Sequence, residues 1–309
     1  MSYLGNLTLR LAVGAMRLEE PLRRRHAAYL ADRQNPDGGF SGRQGPSDLY
    51  YTGFALRGLA LLGLLDDAVA RPAAAFLQER PAAPASSIDF LSLVYSTVLL
   101  EVTCGIDVFA AGGKDRRQTV IDTVAPLRRE DGGYAKTARS GPSSTYHTFL
   151  VAACQQLVGA PLDRPERMAA LVRSRQRSDG GFVELDQMTQ SGANPTAAAV
   201  GLLRLLEALD DSASRSATRF LAGMQNAEGG LRANTRVPVA DLLSTFTGLV
   251  ALADLDALSQ VDAAATRRYV ASLERPEGGF RGAAWDDDAD VEYTFYGLAT
   301  IALLASTAT

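Results

Sequence analysis

The sequence is poor in the residues that build metal centres and disulfide frameworks. Its 309 residues include two cysteines, two histidines and one tryptophan. Cys104 and Cys154 both lie in apolar stretches, which favours buried thiols in a reducing compartment over a disulfide or a metal site. We therefore expect a cytoplasmic protein whose stability comes from its core, since 47% of the residues are apolar.

Long runs of like charge and long apolar runs are also missing. The net charge is −4 without a block of five or six like charges, which argues against nucleic-acid binding. No basic segment precedes the first apolar run, which Arg10 interrupts, so we expect no signal peptide. The sequence contains no stretch of about 18 uncharged apolar residues, so we expect no transmembrane helix. A peripheral contact with a membrane could still deliver an apolar ligand.

An internal repeat is the main feature that the sequence does contain. A Gly-Gly pair follows an acidic residue five times, and successive pairs are 94, 48, 49 and 49 residues apart. The first interval is almost double, so a sixth, degenerate unit is expected near residue 85. The five copies are Asp37-Gly38-Gly39-Phe40, Asp131-Gly132-Gly133-Tyr134, Asp179-Gly180-Gly181-Phe182, Glu228-Gly229-Gly230-Leu231 and Glu277-Gly278-Gly279-Phe280.

Each unit predicts a helical hairpin. A half-polar helix such as 167–176 precedes the glycines, and a helix that is apolar nearly all round, such as 196–206, follows them. Glycine ends the first helix because it adopts positive φ cheaply. No segment alternates with period two, so we expect no sheet.

Apolar segments at both ends of the sequence predict that the six hairpins close into a ring. The first segment, Leu4 to Met16, and the last, Tyr293 to Leu304, are apolar, whereas an open solenoid needs polar capping repeats. We predict one all-α domain over residues 1–309, an α/α toroid of six hairpins with inner and outer helices.

The outer-helix ends carry a family resemblance. Gln34-Asn35-Pro36-Asp37-Gly38-Gly39-Phe40 resembles the Gln-x-x-x-Gly-Gly-Phe repeat of protein prenyltransferase β subunits, and it is similar to the Gln-x-x-x-Gly-x-Trp repeat of squalene–hopene and other class II terpene cyclases. Gln176 and Gln225 recur at the same offset. The resemblance implies a central apolar cavity for a linear isoprenoid, with inner-helix N-termini at a mouth that favours a diphosphate. It also implies a helical-repeat partner subunit, which nothing in the sequence identifies.

The six inner helices align at their starts. Their first residue is often Asp or Ser, which predicts N-capping by Asp48, Ser87 and Ser144. The aligned segments are Asp48-Leu49-Tyr50-Tyr51-Thr52, Ser87-Ile88-Asp89-Phe90-Leu91, Ser144-Thr145-Tyr146-His147-Thr148, Gly192-Ala193-Asn194-Pro195-Thr196, Asp241-Leu242-Leu243-Ser244-Thr245 and Asp290-Val291-Glu292-Tyr293-Thr294.

The transferase resemblance implies zinc ligands that this chain largely lacks. Protein prenyltransferases bind zinc through an Asp-x-Cys pair in the fifth unit and a His in the sixth. Asp241 matches the Asp, but Leu243 and Tyr293 occupy the other two positions, and Leu cannot bind zinc. We therefore predict no zinc. A displaced site of Asp89 and His147 would be short of ligands, so His147 is interpreted as a cavity or capping histidine.

The cyclase resemblance points to the sixth unit. Class II cyclases use Asp-x-Asp-Asp-Thr, in which the middle Asp protonates an alkene or epoxide. In 290–294, Glu292 takes the place of the proton donor and Asp290 the first position, while Tyr293 replaces the last Asp. The acidic run 286–288 before it could raise the donor's pKa, form a solvated cap, or hold Mg²⁺ with a diphosphate.

The candidate site thus joins carboxylates, cations and aromatic rings. The predicted catalytic residues are Glu292, Asp290 and Asp241. The predicted substrate-binding residues are Arg232, Arg236, Tyr50, Tyr51, Tyr146, His147, Tyr293 and Trp285, with arginines for a diphosphate and rings for a prenyl chain. Three functions stay open: zinc-free binding of farnesyl or geranylgeranyl diphosphate, with or without prenyl transfer; a small class II cyclase; and a non-catalytic toroid that binds lipid or protein.

Overall fold

The computed structural model describes residues 2–80, 86–109, 115–139 and 141–306. Within these residues the chain forms thirteen α-helices and two short strands. The helices are α1 (Tyr3–Ala15), α2 (Glu20–Ala31), α3 (Leu49–Leu61), α4 (Asp67–Gln78), α5 (Ser87–Cys104), α6 (Arg116–Val124), α7 (Thr145–Leu157), α8 (Pro165–Ser174), α9 (Ala193–Leu205), α10 (Asp211–Ala222), α11 (Leu242–Asp254), α12 (Ala263–Leu273) and α13 (Val291–Ser306). The degenerate turn at 81–85 lies outside the described residues.

The helices α3, α5, α7, α9, α11 and α13 form a closed inner ring. Each packs against the next, and α13 packs back against α3. The helices α2, α4, α6, α8, α10 and α12 lie outside, each against the inner helix of its own hairpin. The predicted all-α toroid of six hairpins is confirmed.

The two layers differ because their apolar residues are distributed differently. The outer helix α10 buries Ala213, Ala217, Phe220 and Leu221, which share one helical face, and it exposes polar residues on the other. The inner helix α11 is buried on most sides, from Leu242 onwards. An inner helix contacts the inner helices on both sides and the outer helix of its own hairpin, so it has no solvated face for charged residues.

The Gly-Gly turns join consecutive repeats, and we call these contacts the joints. Gly229 has a φ of +96°, and a Cβ there would lie 2.4 Å from the carbonyl oxygen of Ala265 on the next outer helix. The amide of Leu231 donates to Oγ1 of Thr245 at 2.9 Å. Nε2 of Gln225 donates to the carbonyl oxygens of Gly229 and of Asp262 on the next unit, both at 3.0 Å. Glutamine, glycines and threonine are therefore parts of one hydrogen-bonded joint.

The inner helices begin with side-chain caps, except α9, which follows Gly192, and two of the three predicted caps are confirmed. Asp48 accepts from the amide of Tyr51, and Ser144 accepts from that of His147. Ser87 is not a cap, because Ser86 accepts from the amide of Asp89 instead. The second unit lacks the Gly-Gly turn, so its alignment with the other repeats places the N-cap one residue too late.

A minimal sheet is present, contrary to expectation. Strand β1 (Phe280–Arg281) pairs antiparallel with β2 (Ala289–Asp290). In this repeat the chain leaves the glycine turn, loops out and returns to start its inner helix, which lays two extended segments side by side. Other repeats have single bridges at the same place, such as Phe182 with Gly192.

The first helix covers one end of the ring. Near its start, the Tyr3 hydroxyl donates to Asp254 Oδ2 at 2.6 Å, and the Tyr3 amide donates to Gln156 Oε1 at 2.6 Å. Near its end, Gly14 packs so closely on α13 that a Cβ there would lie 1.8 Å from the carbonyl oxygen of Ala302. Since α1 contacts α13, α7 and α3 near their C-terminal ends, it covers the end of the ring opposite the mouth, where the inner helices begin.

One helix meets the length and composition of a membrane span. It is α5, half of which is buried inside the protein. Asp89 and Glu101 lie near its two ends, so the charges do not interrupt its apolar middle. The core helix of a ring satisfies the same criteria, and α5 packs between α3 and α7 as an inner helix.

Candidate active site

The second residue of each inner helix lies at the mouth of the ring. Five of these residues line a cavity of about 640 Å³, the upper cavity, whereas the sixth, Glu292, is not among the residues of its wall. This volume falls in the range of small-molecule sites. The upper cavity is lined by Tyr50, Ser86, Ile88, Asp89, Lys136, Tyr146, Glu184, Asn194, Pro195, Leu243, Thr247 and Tyr296.

Glu292 is a half-buried carboxyl group in the first turn of α13. The Tyr50 hydroxyl donates to its Oε1 at 2.6 Å, from the facing helix α3. Burial raises the pKa of Glu292, as does the charge of Asp290, whereas hydrogen bonds from Tyr50 and Tyr296 and the charge of Arg57 lower it. The net shift is upward, so the group keeps its proton to higher pH than an exposed glutamate.

The other two predicted catalytic residues cap helices. Asp290 accepts from the amide of Tyr293 at 2.9 Å and from Nε of Arg43 at 3.1 Å. Asp241 accepts from the amide of Ser244 at 2.7 Å. Burial raises the pKa of both carboxyls, but neither lines the upper cavity. The structure shows both as helix caps, and a catalytic role for either stays a prediction.

The predicted diphosphate-binding arginines do not converge on the mouth. Arg232 donates through Nη2 to the carbonyl oxygen of Gly223 at 3.1 Å, just beyond the end of α10. It does so because the segment after the glycine turn runs beside its own outer helix. Arg236 is exposed on a loop, and Trp285 is 72% exposed. None of the three lines the upper cavity, where Lys136 is the only cation among the described lining residues, beside Asp89 and Glu184.

The predicted aromatic residues divide by helix position. Tyr50 and Tyr146, the second residues of α3 and α7, line the upper cavity. Tyr51 and Tyr293 are third residues, and their rings cover Gly42 and Gly282 in the loops of their own repeats. Of the four, two therefore face the axis and two pack against loops.

His147 is also a third residue. Its Nδ1 lies 2.7 Å from the Ser87 hydroxyl, and burial together with the charge of Lys136 lowers the pKa of His147 to about 4. The ring is therefore neutral at physiological pH. Asp89 accepts from the Ser86 hydroxyl at 2.7 Å and serves the start of α5.

The residues at the positions considered for metal binding have other contacts. Leu243 is in the wall of the upper cavity, and Tyr293 lies over its loop. Nη1 and Nη2 of Arg43 donate to the two carboxylate oxygens of Asp286 at 2.8 and 2.5 Å, so the first carboxylate of the acidic run has an arginine partner. In the part of the chain that the structure describes, no three His, Cys, Asp or Glu side chains form a group suited to a metal ion. The prediction of a metal-free site remains a prediction.

Aromatic rings separate the upper cavity from a second one beneath α1. Phe54, Phe246, Phe295 and Tyr296 contact one another with ring centroids 5.1 to 5.6 Å apart. We call these four rings the partition. Tyr296 lines the upper cavity, and Phe246 and Phe295 line the lower one, whose volume is about 220 Å³. The lower cavity is lined by Leu4, Leu7, Thr8, Leu11, Ala12, Arg57, Ala60, Leu61, Leu91, Ser92, Tyr95, Leu99, Thr103, Phe246 and Phe295.

Two charged residues of the interior were missed by sequence reasoning. Arg57 lies on α3 beside the partition, and Glu184 is in the wall of the upper cavity. Arg57 had a usable signal, because it is the only charged residue in the otherwise apolar sequence of α3. Glu184 had none, since it follows a glycine turn in a loop whose path depends on the closed ring.

Comparison with known proteins agrees with this architecture. The family model of the prenyltransferase alpha-alpha toroid domain matches residues 7–232 and 196–309, so the chain belongs to this family. No curated protein matches the chain by sequence.

Solved structures share the fold at low identity. Protein geranylgeranyltransferase-I of Candida albicans, complexed with GGPP, is 15% identical with a TM-score of 0.73 over 91% of each chain. A variant of the type II terpene cyclase MstE from Scytonema, in complex with geranylgeranyl dihydroxybenzoate, is 14% identical with a TM-score of 0.63 over 98% of this chain and 99% of that one. A glycosidase variant is also 14% identical, with a TM-score of 0.62 over 97% of each chain. Since such different proteins share the ring, the fold alone does not select the reaction.

Proposed function

We propose that this protein binds a linear isoprenoid along the axis of the ring and that Glu292 protonates the bound chain to start its cyclisation. The observation that carries the proposal is the position of Glu292, a half-buried carboxyl at the start of α13 with a raised pKa and a hydrogen bond from Tyr50. The ligands in the geranylgeranyltransferase and cyclase structures, both geranylgeranyl compounds, support an isoprenoid as the occupant.

The chain's own residues account for each step of such a reaction. Oε1 of Glu292 accepts the Tyr50 hydrogen bond, which leaves Oε2 to carry the proton. That proton forms a C–H bond with one carbon of an alkene, whose π electrons supply the bond and leave a cation on the other carbon. Further double bonds close rings by attacking the cation, and loss of a proton ends the sequence. The aromatic rings of Tyr296 and Phe295, each in a cavity wall, would stabilise the positive charge.

Zinc-free binding of farnesyl or geranylgeranyl diphosphate at the mouth, with or without prenyl transfer, has less support. Arg232 bonds a helix end, Arg236 is exposed, and carboxylates outnumber Lys136 in the cavity wall. A diphosphate there would face Asp89 and Glu184 without the bidentate arginines that usually hold such a group.

The proposal is tested by incubating the protein with farnesol, farnesyl diphosphate and geranylgeranyl diphosphate and analysing products by mass spectrometry. We expect cyclic products from wild type and a loss of at least about a thousandfold in Glu292→Gln, since the amide cannot donate the proton while the shape is kept. Isoprenoid affinity should be retained in this variant.

Glu184→Gln is the matched control, because Glu184 is, like Glu292, a half-buried carboxyl with a raised pKa, and it lies in the wall of the upper cavity. It should cyclise at close to the wild-type rate. Equal activity of Glu292→Gln and wild type would contradict the proposal, and so would absence of isoprenoid binding by wild type. A chelator added to wild type should leave the rate unchanged, and a loss would point to a metal instead.

A further inference from the structure

The lower cavity is a second chamber, which the partition separates from the upper cavity. The four rings of the partition contact one another on the side of the mouth, and α1 supplies five residues of the opposite wall. The hydroxyls of Thr8 on α1 and Tyr95 on α5 lie 2.5 Å apart, which joins these two walls. The volume of about 220 Å³ is below the usual range for drug-sized ligands, so the chamber suits a smaller molecule.

Arg57 is the only charged residue among the described residues that line the lower cavity. Its guanidinium carbon lies 4.0 Å from the ring centroid of Phe54 and 4.9 Å from that of Phe295, so the charge is held against the partition. Its one hydrogen bond among the described residues runs from Nε to the carbonyl oxygen of Gly53, at 3.0 Å. The two Nη groups, with four N–H donors, therefore have no acceptor in the described part of the protein.

The rest of the wall is mostly aliphatic. Leu7 and Leu11 of α1 face it from one side, and Leu91 and Leu99 of α5 from another, while Ser92 adds a hydroxyl. A guanidinium at the partition and aliphatic side chains elsewhere match a ligand that carries one anionic group on an alkyl chain. A dianion would bring a second charge that no described lining residue neutralises, so a monocarboxylate fits this wall better than a phosphate.

We propose that the lower cavity is a second ligand site, which binds a medium-chain fatty acid with its carboxylate on Arg57. The carboxylate accepts hydrogen bonds from the two Nη groups, and the alkyl chain lies among the leucines of α1 and α5. The whole ligand stays below the partition. This site does not depend on the proposed function, because the partition separates it from the upper cavity.

The test measures the affinities of octanoate, octanol and acetate by titration calorimetry. Wild type should bind octanoate at least about tenfold more tightly than octanol, which cannot pair with the guanidinium, and at least about tenfold more tightly than acetate, which has no chain to bury. Arg57→Met keeps the length and apolar contacts of the side chain. It should bind octanoate at least about tenfold more weakly than wild type and octanol within about twofold. Arg57→Lys, which keeps the charge, should retain part of the preference for octanoate.

Lys136→Met provides the opposing arm, because Lys136 is the cation in the wall of the upper cavity. It should bind octanoate as wild type does. If this variant and not Arg57→Met removes the preference, the carboxylate binds in the upper cavity and the proposal is wrong. Equal affinities of wild type for octanoate and octanol would also overturn it, and so would the absence of octanoate binding. Circular dichroism shows whether each variant is folded, and the comparison of the three ligands on wild type needs no variant.

Discussion

The joints between consecutive repeats and the seam, where the sixth repeat meets the first, are built from different chemistry. At the first and fifth joints a neutral amide bonds the next repeat, as Gln34 does with the carbonyl oxygen of Val69 at 2.9 Å, whereas at the third joint Arg128 pairs with Asp163. At the seam, Glu274 takes the glutamine's place and pairs with Arg25 and His26 of the first outer helix. Arg43 adds a second set of charges nearer the axis, with Asp286 and Asp290.

The difference shows which interface of a repeated fold can change its residues and so take on a function. The glycine pair and the threonine recur in most repeats, and the glutamine recurs as Gln34, Gln176 and Gln225. The seam is made once, between chain segments far apart in sequence, and its residues need not match any other interface. Glu292 of α13 and Tyr50 of α3 meet across this seam, so the proposed acid belongs to the interface between the first and the sixth repeat.

The largest effect is expected at the seam. Arg43→Met removes the partner of Asp286 and of the buried Asp290, and it should lower the free energy of unfolding by about 3 kcal/mol, as for other broken ion pairs with a buried member. Urea denaturation measures the change. In Arg71→Met the lost pair with Asp67 is exposed on one helix, so the same measurement should show less than about 0.5 kcal/mol. Equal losses in the two variants would mean that the seam charges do not hold the ring closed.

A smaller effect is expected at a joint. Thr245→Val removes the acceptor of the buried Leu231 amide and should cost about 2 kcal/mol, the usual range for an unpaired buried donor. Thr245→Ser keeps the hydroxyl and serves as the control. Hydrogen exchange of the Leu231 amide should accelerate in the valine variant only. If the serine variant loses as much stability, the methyl group matters more than the hydrogen bond.

The fold was predictable because each repeat carries local sequence signals for its helices and its turn. Gly-Gly at a helix end and an apolar helix after it are local signals, and they recur in phase five times. The second unit has no such signal, which explains why Ser87 was predicted as a cap in place of Ser86. The cover formed by α1 was not predictable either, since an apolar first helix could equally complete the ring wall.

The site was predictable only in part, because the position of a residue in a motif does not fix the direction of its side chain. Glu292 was found from its place in 290–294, and the structure adds its Tyr50 partner and its burial. Arg232 fitted a family position loosely, yet its side chain turns to the end of its own helix. Whether an arginine faces a cavity or a helix end depends on the path of the loop, which the sequence does not show.

The smallest effect concerns the hydrogen bond across the seam. The Tyr50 hydroxyl donates to the Glu292 carboxylate and so lowers its pKa, against the rise caused by burial. Tyr50→Phe removes that donor, so the pKa of Glu292 should rise further. A general acid loses activity as pH rises through its pKa, so the fall of kcat should move to higher pH in the variant. Tyr51→Phe, whose ring covers Gly42 in its own loop, should leave the pH profile unchanged. A shift to lower pH in Tyr50→Phe would show that the hydroxyl stabilises the protonated acid instead.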